Sequence, residues 1–212
     1  SPAGTYPITC SVGTLAALNY TFALVSGTLT VTGSTTLCNH VGSVVVTNGE
    51  SLLIPAGCSQ TGTVTVQAGG SLEAQGAIIT GAVSFNSGVT LLVCSTRVTG
   101  SLTAGSAQAP LVIGNGTSSC HGSNLTGAVS LTSNTAGVTV EQASEVGSFT
   151  MNSNSGGVAL LGSSVTGSVA VEKNSGGATV ESNSIVGSLT VTGNTGTVVD
   201  RPNSVVGSTT LQ

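Results

Sequence analysis

Charged and aromatic side chains are scarce in this chain. Only 5% of its 212 residues are charged and 2% are aromatic, and Trp is missing. A globular domain ordinarily carries about a quarter charged residues, so Ser, Thr, Asn and Gly must make this surface. Three basic residues (Arg97, Lys173 and Arg201) and a net charge of −4 leave no electrostatic footprint for nucleic acid. Nor can they form a polybasic patch for a lipid surface. No apolar run reaches the roughly 20 residues that span a bilayer. The nearest, from Leu15 to Val25, is broken by Asn19, Tyr20 and Thr21, so membrane insertion is not expected. The opening SPAGTYP has neither Met nor a basic n-region. It reads as the mature end of a secreted protein after signal removal.

What the chain has in abundance is repetition. Gly127, Gly147, Gly167, Gly187 and Gly207 recur every 20 residues, and other columns fall into line with them. Two positions after each Gly come Val129, Phe149, Val169, Leu189 and Thr209; four after come Leu131, Met151, Val171, Val191 and Leu211. Seven after, the column is Asn134, Asn154, Asn174 and Asn194; seventeen after, it is Ser144, Ser164, Ser184 and Ser204. Short alternating apolar runs punctuated by Gly and Asn are strand and turn signals. So much Gly, Thr and Val disfavours helix.

A fixed 20-residue period poor in helix formers predicts an all-β fold, a single-stranded parallel β-helix or β-solenoid. Each turn buries its apolar side by stacking on its neighbours, about 4.8 Å away. Stacked Asn amides, and stacked Ser hydroxyls, are then expected to hydrogen-bond from turn to turn. Upstream, Gly27, Gly42, Gly62, Gly81 and Gly100 open the similar segments GTLTV, GSVVV, GTVTV, GAVSF and GSLTA. The expected organisation is an N-terminal segment with an irregular first turn over 1–26 and less regular turns over 27–126, with a loop near 104–124. Regular turns follow over 127–212. About ten turns give a rod on the order of 50 Å long.

These columns resemble the right-handed parallel β-helix, the architecture of pectate lyases and many surface proteins, where Asn ladders also occur. Low-complexity secreted bacterial proteins with repeats ending in GNTG, as at Gly193–Gly196, look closer still. The resemblance covers most of the chain and is architectural. It implies a right-handed coil and no defined activity.

The five cysteines all lie upstream. Cys38 and Cys58 each stand four residues before a Gly, in one column of neighbouring turns, and are expected to form a disulfide. Cys94 and Cys120 stand six and seven residues before Gly100 and Gly127 and are expected to pair likewise. Cys10 remains as a free thiol or an intermolecular bridge. Disulfides imply an oxidising, extracellular setting. His40 and His121 lie beside Cys38 and Cys120, but the paired spacing of zinc sites is missing. No metal or cofactor is expected.

The acidic residues give no catalytic pattern. Pectate-lyase-like enzymes, by the resemblance, need several acidic residues for calcium and a basic residue for the proton step; here one Asp and six Glu are scattered over different turns. Glu141 and Glu181 share a column with Leu161 between them, roughly 10 Å apart at the strand spacing. That is the outer limit of an inverting glycosidase pair. No G-x-S-x-G elbow and no phosphate loop is present. The sequence predicts a protein that is not an enzyme.

Two kinds of contact remain. Thr28, Thr30, Thr63, Thr65, Thr150, Thr190 and Thr210 are read as one flat Ser/Thr face, suited to ice or an ordered polysaccharide. Thr is also simply a good strand former that tolerates water. Asn19, Asn115 and Asn124 begin N-glycosylation sequons. The last segment, GSTTLQ, stops mid-strand, and Asp200 interrupts the apolar column of Val140, Leu160 and Val180. Edges of this kind pair with any strand offered. The expected function is therefore structural, with subunits stacking head to tail into an extracellular filament, fibre or coat.

Overall fold

The computed structural model describes residues 4–14, 16, 18–116 and 119–212, with the side chain of Thr30 outside that set. Three parallel sheets of nine strands each run the length of the molecule. The chain visits them in rotation. Its first turn contributes Gly33–Thr36 to the first face, His40–Val41 to the second and Val44–Val46 to the third. Its ninth contributes Val198–Asp200, Ser204–Val206 and Thr209–Leu211. The fold is a parallel β-solenoid of nine turns, with no helix among the described residues.

Register makes the columns literal. On the third face Val129 pairs with Phe149, Phe149 with Val169 and Val169 with Leu189. On the first, Val138, Val158, Ala178 and Val198 are successive partners. Alternate residues of each strand point inward and fuse into one apolar core from Val46 to Val191, in which Phe85 and Phe149 are the largest side chains.

The recurring Gly marks the corner between the second and third faces. A Cβ on Gly62 would lie 2.6 Å from the Gly42 carbonyl oxygen, and one on Gly167 would overlap the Gly147 carbonyl. Gly167 also has φ +152°, a conformation that L side chains rarely adopt. The other two corners each carry a left-handed residue just before an inward polar one. Ser153 (φ 56°) precedes Asn154, and Ser182 (φ 59°) precedes Asn183.

Three expectations are corrected. Gly27–Val31 does not open a turn; it pairs antiparallel with Gly4–Ile8, outside the three large sheets. Only 15 residues separate Gly27 from Gly42, too few for a 20-residue circuit, and the turns number nine rather than ten. The loop in the long fifth turn is shorter than 104–124. Leu102–Gly105 and Leu111–Ile113 are strands, because Leu111 and Ile113 continue the inward columns of Leu91 and Val93, and the extra residues follow Ile113. Finally, Ser144, Ser164, Ser184 and Ser204 are successive partners on the second face but point into solvent. Among the described residues, no hydroxyl-to-hydroxyl bond joins them, contrary to the expected Ser ladder, because exposed hydroxyls bond to water instead.

Candidate functional site

The strongest internal geometry is the Asn ladder. The Asn154 side-chain oxygen accepts from the Asn134 backbone N–H and amide, both at 2.9 Å, and the Asn154 amide donates to the Leu131 carbonyl at 3.0 Å. Asn174 repeats this toward Asn154 and Met151, and Asn194 toward Asn174 and Val171. Upstream the ladder ends on the Ala107 N–H, 3.0 Å from the Asn134 oxygen. Downstream the Gln212 side chain takes the next place, its oxygen 2.6 Å from the Asn194 N–H.

A second ladder escaped the sequence reading. Four residues before each corner Gly stand Cys38, Cys58, Ala77, Thr96, Ser123, Ala143, Ser163, Asn183 and Asn203. The Asn203 oxygen accepts from the Asn183 N–H at 2.9 Å, and the Asn183 oxygen from the Ser163 N–H at 2.8 Å. The Ser163 hydroxyl accepts from the Ala143 N–H at 3.1 Å. Upstream, the Ser123 and Thr96 hydroxyls accept from the Thr96 and Ala77 N–H groups. The signal was present at constant spacing but hidden by changing residue identity.

That same column holds the first disulfide. Cys38 and Cys58 are joined with their Cα atoms 4.6 Å apart, tying turns 1 and 2. Cys94 and Cys120 are joined at a Cα separation of 4.7 Å, tying turns 4 and 5. Cys10 is exposed and not in a disulfide; its thiol lies 3.3 Å from the Val25 carbonyl oxygen.

The outward residues of the third face form a continuous in-register column of Val45, Thr65, Ser84, Thr103, Ser130, Thr150, Ala170, Thr190 and Thr210. Thr63 lies beside it, one residue ahead of its strand. Thr28 and Thr30 do not belong to it, since both sit on the antiparallel pair. The second face carries a further outward column that was not evident from the sequence: Val41, Thr61, Thr80, Thr99, Thr126, Val146, Thr166, Val186 and Val206 stand just before the corner Gly. Among them Val41 is 79% exposed.

Ionisable residues do not converge. Glu141, Leu161 and Glu181 are successive partners on the first face, which leaves the two carboxylates two strand spacings apart. Asp200 is exposed at the last turn, where it accepts from the Asn203 amide at 2.7 Å. His40 is half-buried in the first turn, its Nδ1 2.8 Å from the Gln60 side-chain oxygen. Glu50 accepts from the Thr47 backbone N–H and hydroxyl, which hold its carboxyl below the usual range. Among the described residues no group of three or more His, Cys, Asp or Glu could hold a metal ion.

Glu145 was also missed. It occupies the inward column of the second face, where its neighbours are Leu125 and Val165. It is 1% exposed, and neither carboxyl oxygen has a hydrogen-bond partner. Burial pushes its carboxyl up to about 7.

Asn19 and Asn124 are exposed, the latter on the second face. Asn115 lies in the fifth-turn loop, and Thr117 of its sequon falls outside the described residues. No helix among the described residues is long and apolar enough to cross a membrane. Compared with protein-family models, curated proteins and solved structures, the chain matches none.

Proposed function

We propose that this protein is a secreted, non-enzymatic structural element whose solenoids stack end to end into an extracellular filament or coat. The solenoid fold and its two disulfides are compatible with an extracellular structural role. One observation carries the finer reading. The same three-stranded, in-register pairing joins neighbouring turns from the first to the ninth. The outer edge of turn 9 is thus the kind of surface that turn 1 receives, and a translational contact of this sort extends without closing.

Inward-facing side chains of turns 1 and 9 line two shallow depressions. At turn 1 a depression of about 330 Å³ is lined by Leu37, His40, Val44, Val46 and Leu52. At turn 9 a similar one, also about 330 Å³, is lined by Leu189, Asp200, Val205, Thr209 and Leu211. A second copy continuing the coil covers both. The test is sedimentation and negative-stain microscopy of the wild type beside Thr209→Lys/Leu211→Lys, whose altered positions are exposed. Concentration-dependent rods lost in the variant support the reading. A wild type that stays monomeric, or a variant that assembles equally well, removes it.

The alternative is a binding module that uses the outward Ser/Thr column of the third face against ice or an ordered polysaccharide. The unbroken register of that column over nine turns favours it. Ice-recrystallisation inhibition abolished by Thr65→Tyr would separate it from the structural reading.

A further inference from the structure

We propose that Glu145 is a proton-controlled latch at the junction of turns 5 and 6, holding the downstream turns closed in acid and loosening them as it ionises. Four observations meet at this junction, and none depends on whether the protein forms filaments.

First, the Glu145 side chain points into the core with both oxygens unpartnered, in a column otherwise filled downstream by Val165, Ile185 and Val205. An ionised carboxylate there has neither water nor a donor to replace its hydration, whereas the neutral acid costs far less. Second, nothing nearby compensates the charge. The inward strand residues at this level are Leu125 and Val165 above and below, Val138, Val140, Val158 and Leu160 on the first face, and Val129, Leu131, Phe149 and Met151 on the third; all are apolar. The inward polar side chains of these turns, Ser123 and Ser163 at one corner and Asn134 and Asn154 at another, are committed to the ladders, and neither Glu145 oxygen bonds to any of them. The titratable groups on the surrounding elements are Glu141, at an outward position ending Val138–Glu141, and His121, exposed before Asn124–Leu125; neither lies in the interior.

Third, the corner ladder is interrupted here. Thr96, Ser123, Ser163, Asn183 and Asn203 each supply an oxygen to the preceding turn, but Ala143 offers none to Ser123. Fourth, the last disulfide ends at turn 5. Turns 1–2 and 4–5 are covalently tied, while turns 6–9 hold on by hydrogen bonds and packing alone. A charge introduced at Glu145 therefore acts at a junction that has neither a corner-ladder acceptor nor a disulfide across it.

The sign follows from linkage. The folded carboxyl titrates near 7 and the open one near the ordinary 4.5. Below 4.5 both forms are protonated and the closed state is fully favoured. Between 4.5 and 7 the open form releases a proton that the closed form retains, so closing weakens about tenfold per pH unit. Above 7 the loss levels off, at a few hundred-fold in all, on the order of ten raised to the shift.

Native-state hydrogen exchange of the full chain from pH 4.5 to 8, corrected for intrinsic exchange, reads this directly. Protection in strands Val158–Leu161, Val169–Glu172 and Ala178–Glu181 is expected to fall about tenfold per pH unit and then flatten near 7. Protection in the upstream strands Ser71–Gln75, Val83–Asn86 and Thr90–Cys94 is expected to stay level. Glu145→Gln and Glu145→Val, the latter matching Val165 in the same column, are expected to abolish the slope. A flat wild-type profile, equal slopes in both halves, or a slope surviving in either variant overturns the latch. If a variant does not fold, the comparison of the two halves in the wild type decides alone.

Discussion

At the scale of single residues, stability rests on side chains whose hydrogen bonds have no substitute. Asn174 accepts two bonds from Asn154 and donates to Met151 and Asn194 while fully buried. Asn174→Ala strands a buried N–H and a buried carbonyl. It is expected to lower unfolding free energy by about 2–4 kcal/mol in urea titration. The corner glycines act by exclusion instead. Gly167→Ala forces a Cβ into the Gly147 carbonyl and is expected to prevent folding or cost more than about 3 kcal/mol. Gly137→Ala, whose Cβ would meet nothing nearer than 3.7 Å, is expected to change stability by less than about 1 kcal/mol. Unfolding midpoints of the two proteins check the contrast. Both the Asn and Gly columns were legible in the sequence because geometry fixes their residue type. Glu145 was not. Its column eighteen after the Gly reads Glu145, Val165, Ile185 and Val205, and the apolar majority pointed inward, but a carboxyl is ordinarily assigned to the surface.

At the scale of turns and strands, the two halves of the rod are held together differently. Downstream corners use Ser163, Asn183 and Asn203; the corresponding upstream places hold Cys38 and Cys58, which form a covalent rung in the same column. Replacing both cysteines by Ser opens a loop of 20 residues. It is expected to cost about 3 kcal/mol, read as a shift in denaturant midpoint with the Cys94–Cys120 bridge intact. Ala143 is the reverse case. Ala143→Ser restores an acceptor for the Ser123 N–H and is expected to raise stability by about 1 kcal/mol in thermal unfolding. Strand existence and the disulfide partners followed from position relative to the recurring Gly, since stacking places equivalent positions side by side even where the fifth turn is longer. Partner direction did not follow. GTLTV at Gly27–Val31 has the same local pattern as GTVTV at Gly62–Val66, yet it pairs antiparallel with Gly4–Ile8. Alternation fixes which side chains share a face and says nothing about the neighbour.

For the whole molecule, sequence periodicity becomes a physical translation. Each turn repeats the three strands of the last, and the apolar core is continuous from Val46 to Val191 with no break between domains. In the proposed filament, such a body would extend by the same contact that builds it. The outward Thr and Val columns were only partly legible, because Thr and Val are good strand formers on either side of a strand and do not by themselves mark an outward face. The most direct measurement is cryo-microscopy or fibre diffraction of the assembled protein. End-to-end stacking predicts an axial spacing of about 4.8 Å that runs unbroken through the subunit junctions. Discrete particles only, or rods packed side by side without that axial repeat, would contradict it.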